Sequence, residues 1–175
     1  MDRDRAAKIK MLILDVDGVM TDGRIVINDH GDETKYFNVK DGQGVKLLLE
    51  AGIAVVIISG RRSQTVEHRA RDLGIKDVYQ GTKDKGYICK RLMEKKRLTG
   101  DQICCIGDDL ADLSLFAQAG ISIAVADAVK EVKDAATYIT RNKGGDGAVR
   151  EVCELILHSQ DKWTGIISAY LGKEK

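Results

Sequence analysis

A three-layer α/β fold, one parallel sheet between two layers of helices, is what this sequence predicts. Three observations point to it. Short β-branched runs alternate with stretches of helical period along most of the chain. The runs are apolar on both sides of the pleat, as strands buried on both faces must be. Proline is absent from the 175 residues while glycine occurs 18 times, so breaks between elements fall to glycine, Asp and Asn.

The first strand is expected at Met11–Val16. Two further β-like runs, Arg24–Ile27 and Glu33–Val39, are joined by Asn28-Asp29-His30-Gly31-Asp32 and read as a small hairpin inserted after it. A helix then begins near Gly42 and closes at Gly52. Strands follow at Ile53–Ser59, Asp77–Gln80, Gln102–Ile106, Ser122–Val125 and Thr137–Thr140, with Gly74, Gly100 and Gly120 closing the helices between them. Leu110, Leu113, Ser114 and Ala117 recur at i, i+3, i+4, i+7, as do Val149, Val152, Cys153 and Ile156. Strand, helix, strand in sequence implies right-handed crossovers and a Rossmann-like parallel sheet. No stretch is large enough for a second domain, and there are no repeats. Residues 1–175 read as one domain, with 172–175 as a frayed end.

Composition excludes several functions. Lys plus Arg is 28 against 27 for Asp plus Glu, a net charge of +1 that gives no general pull toward nucleic acid or an acidic membrane. The longest apolar run, Ile53–Ile58, is far below the ~18 residues of a membrane span. The opening MDRDRAAKIK is charged and leads straight into a strand, which reads as a native N-terminus without a secretory signal. Cys89, Cys104, Cys105 and Cys153 have no zinc spacing, and read as reduced core thiols of a cytoplasmic protein.

Open α/β sheets bind ligands beyond the carboxyl ends of their strands, so those ends carry the functional reading. The first strand ends in Asp15-Val16-Asp17-Gly18. Residues two apart on a strand share a face at about 6.6 Å, close enough for both carboxylates to address one cation. The second ends in Ser59-Gly60-Arg61-Arg62, a hydroxyl, free N–H groups and cations suited to anionic oxygens. The fourth ends in Gly107-Asp108-Asp109, with Asp112 a turn later, and Lys85 follows Gly81-Thr82-Lys83-Asp84. Carboxylate oxygens are the ligands Mg²⁺ prefers. Taken singly, each element has an ordinary structural explanation: Asp108-Asp109 as a helix cap, Ser59-Gly60 as a turn, Lys85 as a solvated side chain. Acid pair, hydroxyl, lysine and acid pair at one sheet edge are improbable by accident. Val19 and Met20 break an EF-hand loop, Gly42-Gln43-Gly44 lacks the third glycine of a dinucleotide fingerprint, and no P-loop or G-x-S-x-G occurs.

Together ILDVDGVMTDG, IISGR, Lys85 and IGDDLAD resemble the four motifs of the haloacid dehalogenase superfamily. FNVKDGQGVKLL, SGRRSQTVEHRARDLGI, VYQGTKDK and GGDGAVREVCELIL resemble one branch of it, the 3-deoxy-D-manno-octulosonate 8-phosphate phosphatases, over nearly the whole chain. Asp146 stands where that branch often has a basic residue. The resemblance implies Asp15 as nucleophile and Asp17 as general acid and base. It implies Mg²⁺ on Asp15, the Asp17 carbonyl and Asp108, with Ser59, Gly60 and Lys85 at the phosphate. Asp109 and Asp112 would orient the metal shell or Lys85. Asn38, Val39, Lys40, Asp41, Gly42, Arg61 and Arg69 would contact the sugar acid, along with Asp17 and Lys85, as arginine suits a planar carboxylate. A place in lipopolysaccharide precursor synthesis is implied as well. So is a homotetramer without a cap domain, whose hairpins pack together and whose subunits cover one another's sites. Two alternatives stay open: a phosphatase for a nine-carbon sugar-acid phosphate, and a non-enzymatic phospho-receiver domain. The second is weak, since Ser59 stands where a receiver needs its phosphorylated Asp.

Overall fold

The computed structural model describes residues 2–172; residues 173–175 of the expected frayed end lie outside the described residues. A one-turn helix α1 (Arg3–Ala6) leads into β1 (Met11–Leu14), the hairpin strands β2 (Val26–Ile27) and β3 (Glu33–Thr34), and α2 (Val39–Glu50). Then come β4 (Ala54–Ser59), α3 (Gln64–Leu73), β5 (Asp77–Gln80), α4 (Lys85–Lys96) and β6 (Ile103–Gly107). The chain finishes through α5 (Leu113–Phe116), β7 (Ile121–Ala124), α6 (Lys130–Ala135), β8 (Tyr138–Ile139), α7 (Ala148–Ser159) and α8 (Trp163–Tyr170). The main sheet is parallel throughout, in the order β5-β4-β1-β6-β7-β8. Met11 of β1 lies opposite Ala54 on one side and Ile103 on the other. All four β1 residues are buried, because helices cover both faces of the sheet.

The expected α/β architecture with its hairpin is present, and the differences have physical reasons. β1 stops at Leu14 because the Val16 carbonyl accepts from the N–H groups of Val19, Met20 and Thr21, winding that segment into a turn. Asp15 and Asp17 therefore do not share one strand face. The hairpin ladder is only two residues on each side. Asn38 Oδ1 accepts from the Lys40 N–H at 2.8 Å and the Asp41 N–H at 3.4 Å. That cap draws Val39 out of the expected hairpin and starts α2 before Gly42. Gly74 ends α3, but α4 ends on Arg97 in the left-handed region, and Gly100 instead opens a 3₁₀ turn. The Leu110–Ala117 pattern is split between a 3₁₀ turn at Leu110–Asp112 and α5.

Candidate active site

β4, β1 and β6 are neighbours, so their carboxyl ends set Ser59, Asp15 and Asp108 side by side at one edge of the sheet. Carboxylate oxygens of Asp15, Asp108 and Asp112 lie within 4.8 Å of one another. Lys85, on the first turn of α4, is buried against them. Its Nζ donates to Asp15 Oδ1 at 2.6 Å and to Asp112 Oδ1 at 2.6 Å. A buried ammonium is tolerated only with such partners. Burial pulls the Lys85 pKa down, but the two carboxylates outweigh it and the net direction is up. Asp15 is pushed up to about 6, first by burial and then by Asp112, against the pull of Lys85. Burial, Asp15 and Asp112 push Asp108 up to about 8.

The three acids are not equivalent. Asp112 Oδ1 is engaged by Lys85, and its Oδ2 accepts from the Asp108 N–H at 3.0 Å. Asp108 has no hydrogen-bond donor on its carboxylate among the described residues. A hard cation fits here: it would relieve the repulsion between Asp15 and Asp108 and take the Asp108 oxygens, on which no donor sits among the described residues. Asp109 lies apart from this arrangement. It is exposed, and its Oδ1 accepts from the Leu110 N–H at 2.7 Å as a helix cap, with no hydrogen bond to Lys85 among the described residues. Asp15 and Asp112 hold the lysine between them.

Two glycines account for the close packing around the acids. Gly18 sits at φ +90°, and a Cβ there would come within 2.0 Å of Asp108 Oδ2. Gly144 lies behind the same loop, where a Cβ would stand 1.7 Å from the Gly18 carbonyl oxygen. Gly145 N–H then donates to Val19 O at 2.9 Å. The double glycine before α7 thus backs the Asp15–Asp17 loop.

Asp17 faces a different cation. Its Oδ1 accepts a hydrogen bond from Lys35, whose side chain is 1% exposed. Lys35 Nζ also lies 2.5 Å from Glu33 Oε1, an ion contact without hydrogen-bond alignment. Glu33 Oε2 in turn takes Arg61 Nη2 at 3.2 Å, leaving Arg61 Nη1 buried without a partner. Sequence reasoning missed Glu33 and Lys35, although their i, i+2 spacing at the second hairpin strand was a visible signal. Ser59 is buried, and its Oγ accepts from the Arg61 N–H at 3.3 Å. Gly60 is exposed beside it.

The expected sugar-acid residues divide. Val39 and Lys40 are exposed at the start of α2. Asn38 is engaged as the cap, and Arg69 holds the segment from behind. Arg69 Nη2 donates to Asn38 O at 3.3 Å, Nη1 pairs with Asp72 at 2.7 Å, and the guanidinium lies over Phe37. Gly42 leaves room for that approach, since a Cβ would meet Arg69 Nη2 at 2.2 Å and push the guanidinium aside. Asp41 is buried, and its Oδ1 accepts from the Arg150 N–H at 2.7 Å, capping α7. A cavity of about 540 Å³ between the starts of α2 and α7 is lined by Asn38, Lys40, Arg141 and Arg150 among others; the carboxylate cluster lies outside it.

A haloacid dehalogenase-like hydrolase profile matches residues 72–152. A 3-deoxy-D-manno-octulosonate 8-phosphate phosphatase of Yersinia pestis is 50% identical over 161 residues, covering 92% of this chain and 86% of that protein. Its crystal structure superposes with a TM-score of 0.91 over 93% of this chain and 88% of that one. The Moraxella catarrhalis enzyme, solved with magnesium ion, phosphate ion and a KDO molecule, is 41% identical with a TM-score of 0.94, over 96% and 97% of the two chains. The cobalt-bound Haemophilus influenzae phosphatase is 43% identical with a TM-score of 0.87, over 90% and 92%. With identity of this order across nearly its whole length, and the acid, lysine and hydroxyl groups at the carboxyl edge of the sheet, the chain belongs to the 3-deoxy-D-manno-octulosonate 8-phosphate phosphatase family of haloacid dehalogenase-like hydrolases.

Proposed function

We propose that this protein hydrolyses 3-deoxy-D-manno-octulosonate 8-phosphate to the free sugar acid and inorganic phosphate, using Mg²⁺, as a step of lipopolysaccharide precursor synthesis in the cytoplasm. The observation that carries the reading is the Asp15–Asp108–Asp112–Lys85 cluster, set in a chain half identical to the Yersinia pestis phosphatase. Asp15 attacks phosphorus: a bond forms from its carboxylate oxygen as the bond from phosphorus to the sugar oxygen breaks. Asp17 gives its proton to the departing oxygen, and later takes one from the water that hydrolyses the aspartyl-phosphate. Lys85 and Ser59 bind phosphoryl oxygens, where the transition state spreads its charge. Asp112 keeps Lys85 aimed at them. Asp15, the Asp17 carbonyl and Asp108 would hold a Mg²⁺ ion, which would supply charge neutralisation at the phosphoryl group. Arg61, whose side chain is 40% exposed, takes the substrate carboxylate beside the segment that Arg69 braces.

The whole chain acts as one catalytic domain, assembled as a homotetramer. The test of the reaction is a panel of eight-carbon and nine-carbon sugar-acid phosphates and simple sugar phosphates, followed by phosphate release with Mg²⁺. The eight-carbon substrate is expected to give the highest kcat/KM, and Asp15→Asn to abolish turnover with the fold intact. A preference for the nine-carbon substrate would move the assignment to that branch. Wild-type turnover retained by Asp15→Asn would remove Asp15 as the nucleophile.

A further inference from the structure

We propose that Lys35 is a positioning residue for Asp17: it fixes the plane of the carboxyl group and dictates which oxygen carries the transferable proton. The inference rests on the reaction proposed above. Lys35 reaches Asp17 from the hairpin, 18 positions along the chain, and is the most buried member of its ion-paired group. An ammonium has three donors and no acceptor. While Lys35 donates to Asp17 Oδ1, that oxygen acts only as an acceptor, so a proton on Asp17 sits on Oδ2. Oδ2–H is then the bond that breaks as the sugar oxygen, taking the electron pair of its bond to phosphorus, gains its proton. The same Oδ2 recovers a proton from the attacking water in the second half of the reaction, so the carboxyl group ends as it began.

Glu33 makes this arrangement possible. When Asp17 carries its proton, a buried ammonium with no other partner would be uncompensated, and Glu33 Oε1 at 2.5 Å balances it without an aligned hydrogen bond. The aligned bond of Lys35 goes to Asp17. Glu33 is anchored on its other side by Arg61. The hairpin therefore delivers a preset cation to the acid–base group, a duty distinct from covering the site.

A purely structural staple between hairpin and domain would produce the same ion pairs, and the two roles differ in their dependence on the leaving group. Acetate leaves acetyl phosphate without needing a proton, whereas a sugar alkoxide needs one. The experiment measures kcat and KM of wild type, Lys35→Met, Lys35→Arg and Glu33→Gln on 3-deoxy-D-manno-octulosonate 8-phosphate and on acetyl phosphate. Asp17 also takes the water proton in the second half with either substrate, so the discriminating quantity is kcat/KM, which reports transfer to Asp15. Lys35→Met is expected to lower it by at least about tenfold on the sugar phosphate and by no more than about threefold on acetyl phosphate. Lys35→Arg, which keeps a donor, is expected to recover part of the loss. Glu33→Gln is expected to show the same substrate dependence at smaller size. Equal losses of kcat/KM on both substrates, in Lys35→Met or, should that variant not fold, in Lys35→Arg and Glu33→Gln, would overturn the proposal in favour of a staple. So would unchanged kinetics on both. A wild type that hydrolyses acetyl phosphate but no sugar-acid phosphate overturns the substrate assignment instead.

Discussion

Asp108 holds its proton far above the usual carboxylate range, at about 8, because it is buried facing Asp15 and Asp112 with only Lys85 to offset them. That value turns into a stability statement. The native state keeps protons on Asp108 and Asp15 at pH values where the unfolded chain has released them. The contribution of these groups is fully present below the ordinary carboxylate value of 3.8, and is lost as pH rises through about 6 for Asp15 and about 8 for Asp108. A divalent cation replaces those protons and inverts the trend. Metal-free protein is therefore expected to lose stability between about pH 6 and pH 9, and added Mg²⁺ to stabilise it more at the alkaline end. Urea titrations at both pH values, with and without Mg²⁺, check this. A Mg²⁺ effect equal at both would sink the assignment of the cluster as its site.

At the scale of elements, α2 and α7 are joined through one carboxylate. Asp41 sits in the first turn of α2, yet it accepts from the Arg150 N–H at the start of α7, whose own cap position is Gly147 with no side chain to offer. Asp41→Ala is expected to cost about 0.5–2 kcal/mol as a lost cap, and Asp41→Asn less, since an amide oxygen can still accept. The denaturant midpoint at unchanged slope measures it. A large rise in KM with no loss of stability would restore Asp41 to direct substrate contact. Most of the machinery at the sheet edge was legible in the sequence because Asp15-Val16-Asp17-Gly18, Ser59-Gly60 and Gly107-Asp108 are local strings whose place is set by the end of a strand. Lys85 was legible for the same reason, from the cap of the helix it opens. The Asp41–Arg150 and Lys35–Asp17 pairs were not, because they join segments whose approach depends on how helix and hairpin fold back. Asp109 was ambiguous, since a helix-capping acid and a site acid look alike in a Gly-Asp-Asp string, and the structure shows it capping the Leu110 turn.

At the scale of the whole molecule, the hairpin presents a problem that one chain does not solve. Ile25 and Ile27 are 56% and 58% exposed and Tyr36 67%, on a ribbon whose strands are two residues long. Such a ribbon lacks the pairing and the buried face that independent stability needs. The same ribbon delivers Lys35 to Asp17, so the order of the hairpin and the order of the acid–base group are one question. Among the described residues no inserted cap closes over Asp15 either, and an aspartyl-phosphate exposed to bulk water would not be protected from adventitious attack. The homotetramer proposed above, with hairpins burying one another's apolar faces and neighbouring subunits covering the sites, would answer both needs. Sedimentation is expected to give a tetramer at assay concentration. The paired change Ile25→Asp and Ile27→Asp is expected to yield a smaller species, with secondary structure retained and kcat/KM for the sugar phosphate reduced by about tenfold or more through a loosened Lys35. A fully active monomer would separate catalysis from assembly and leave the hairpin ordered by its own domain.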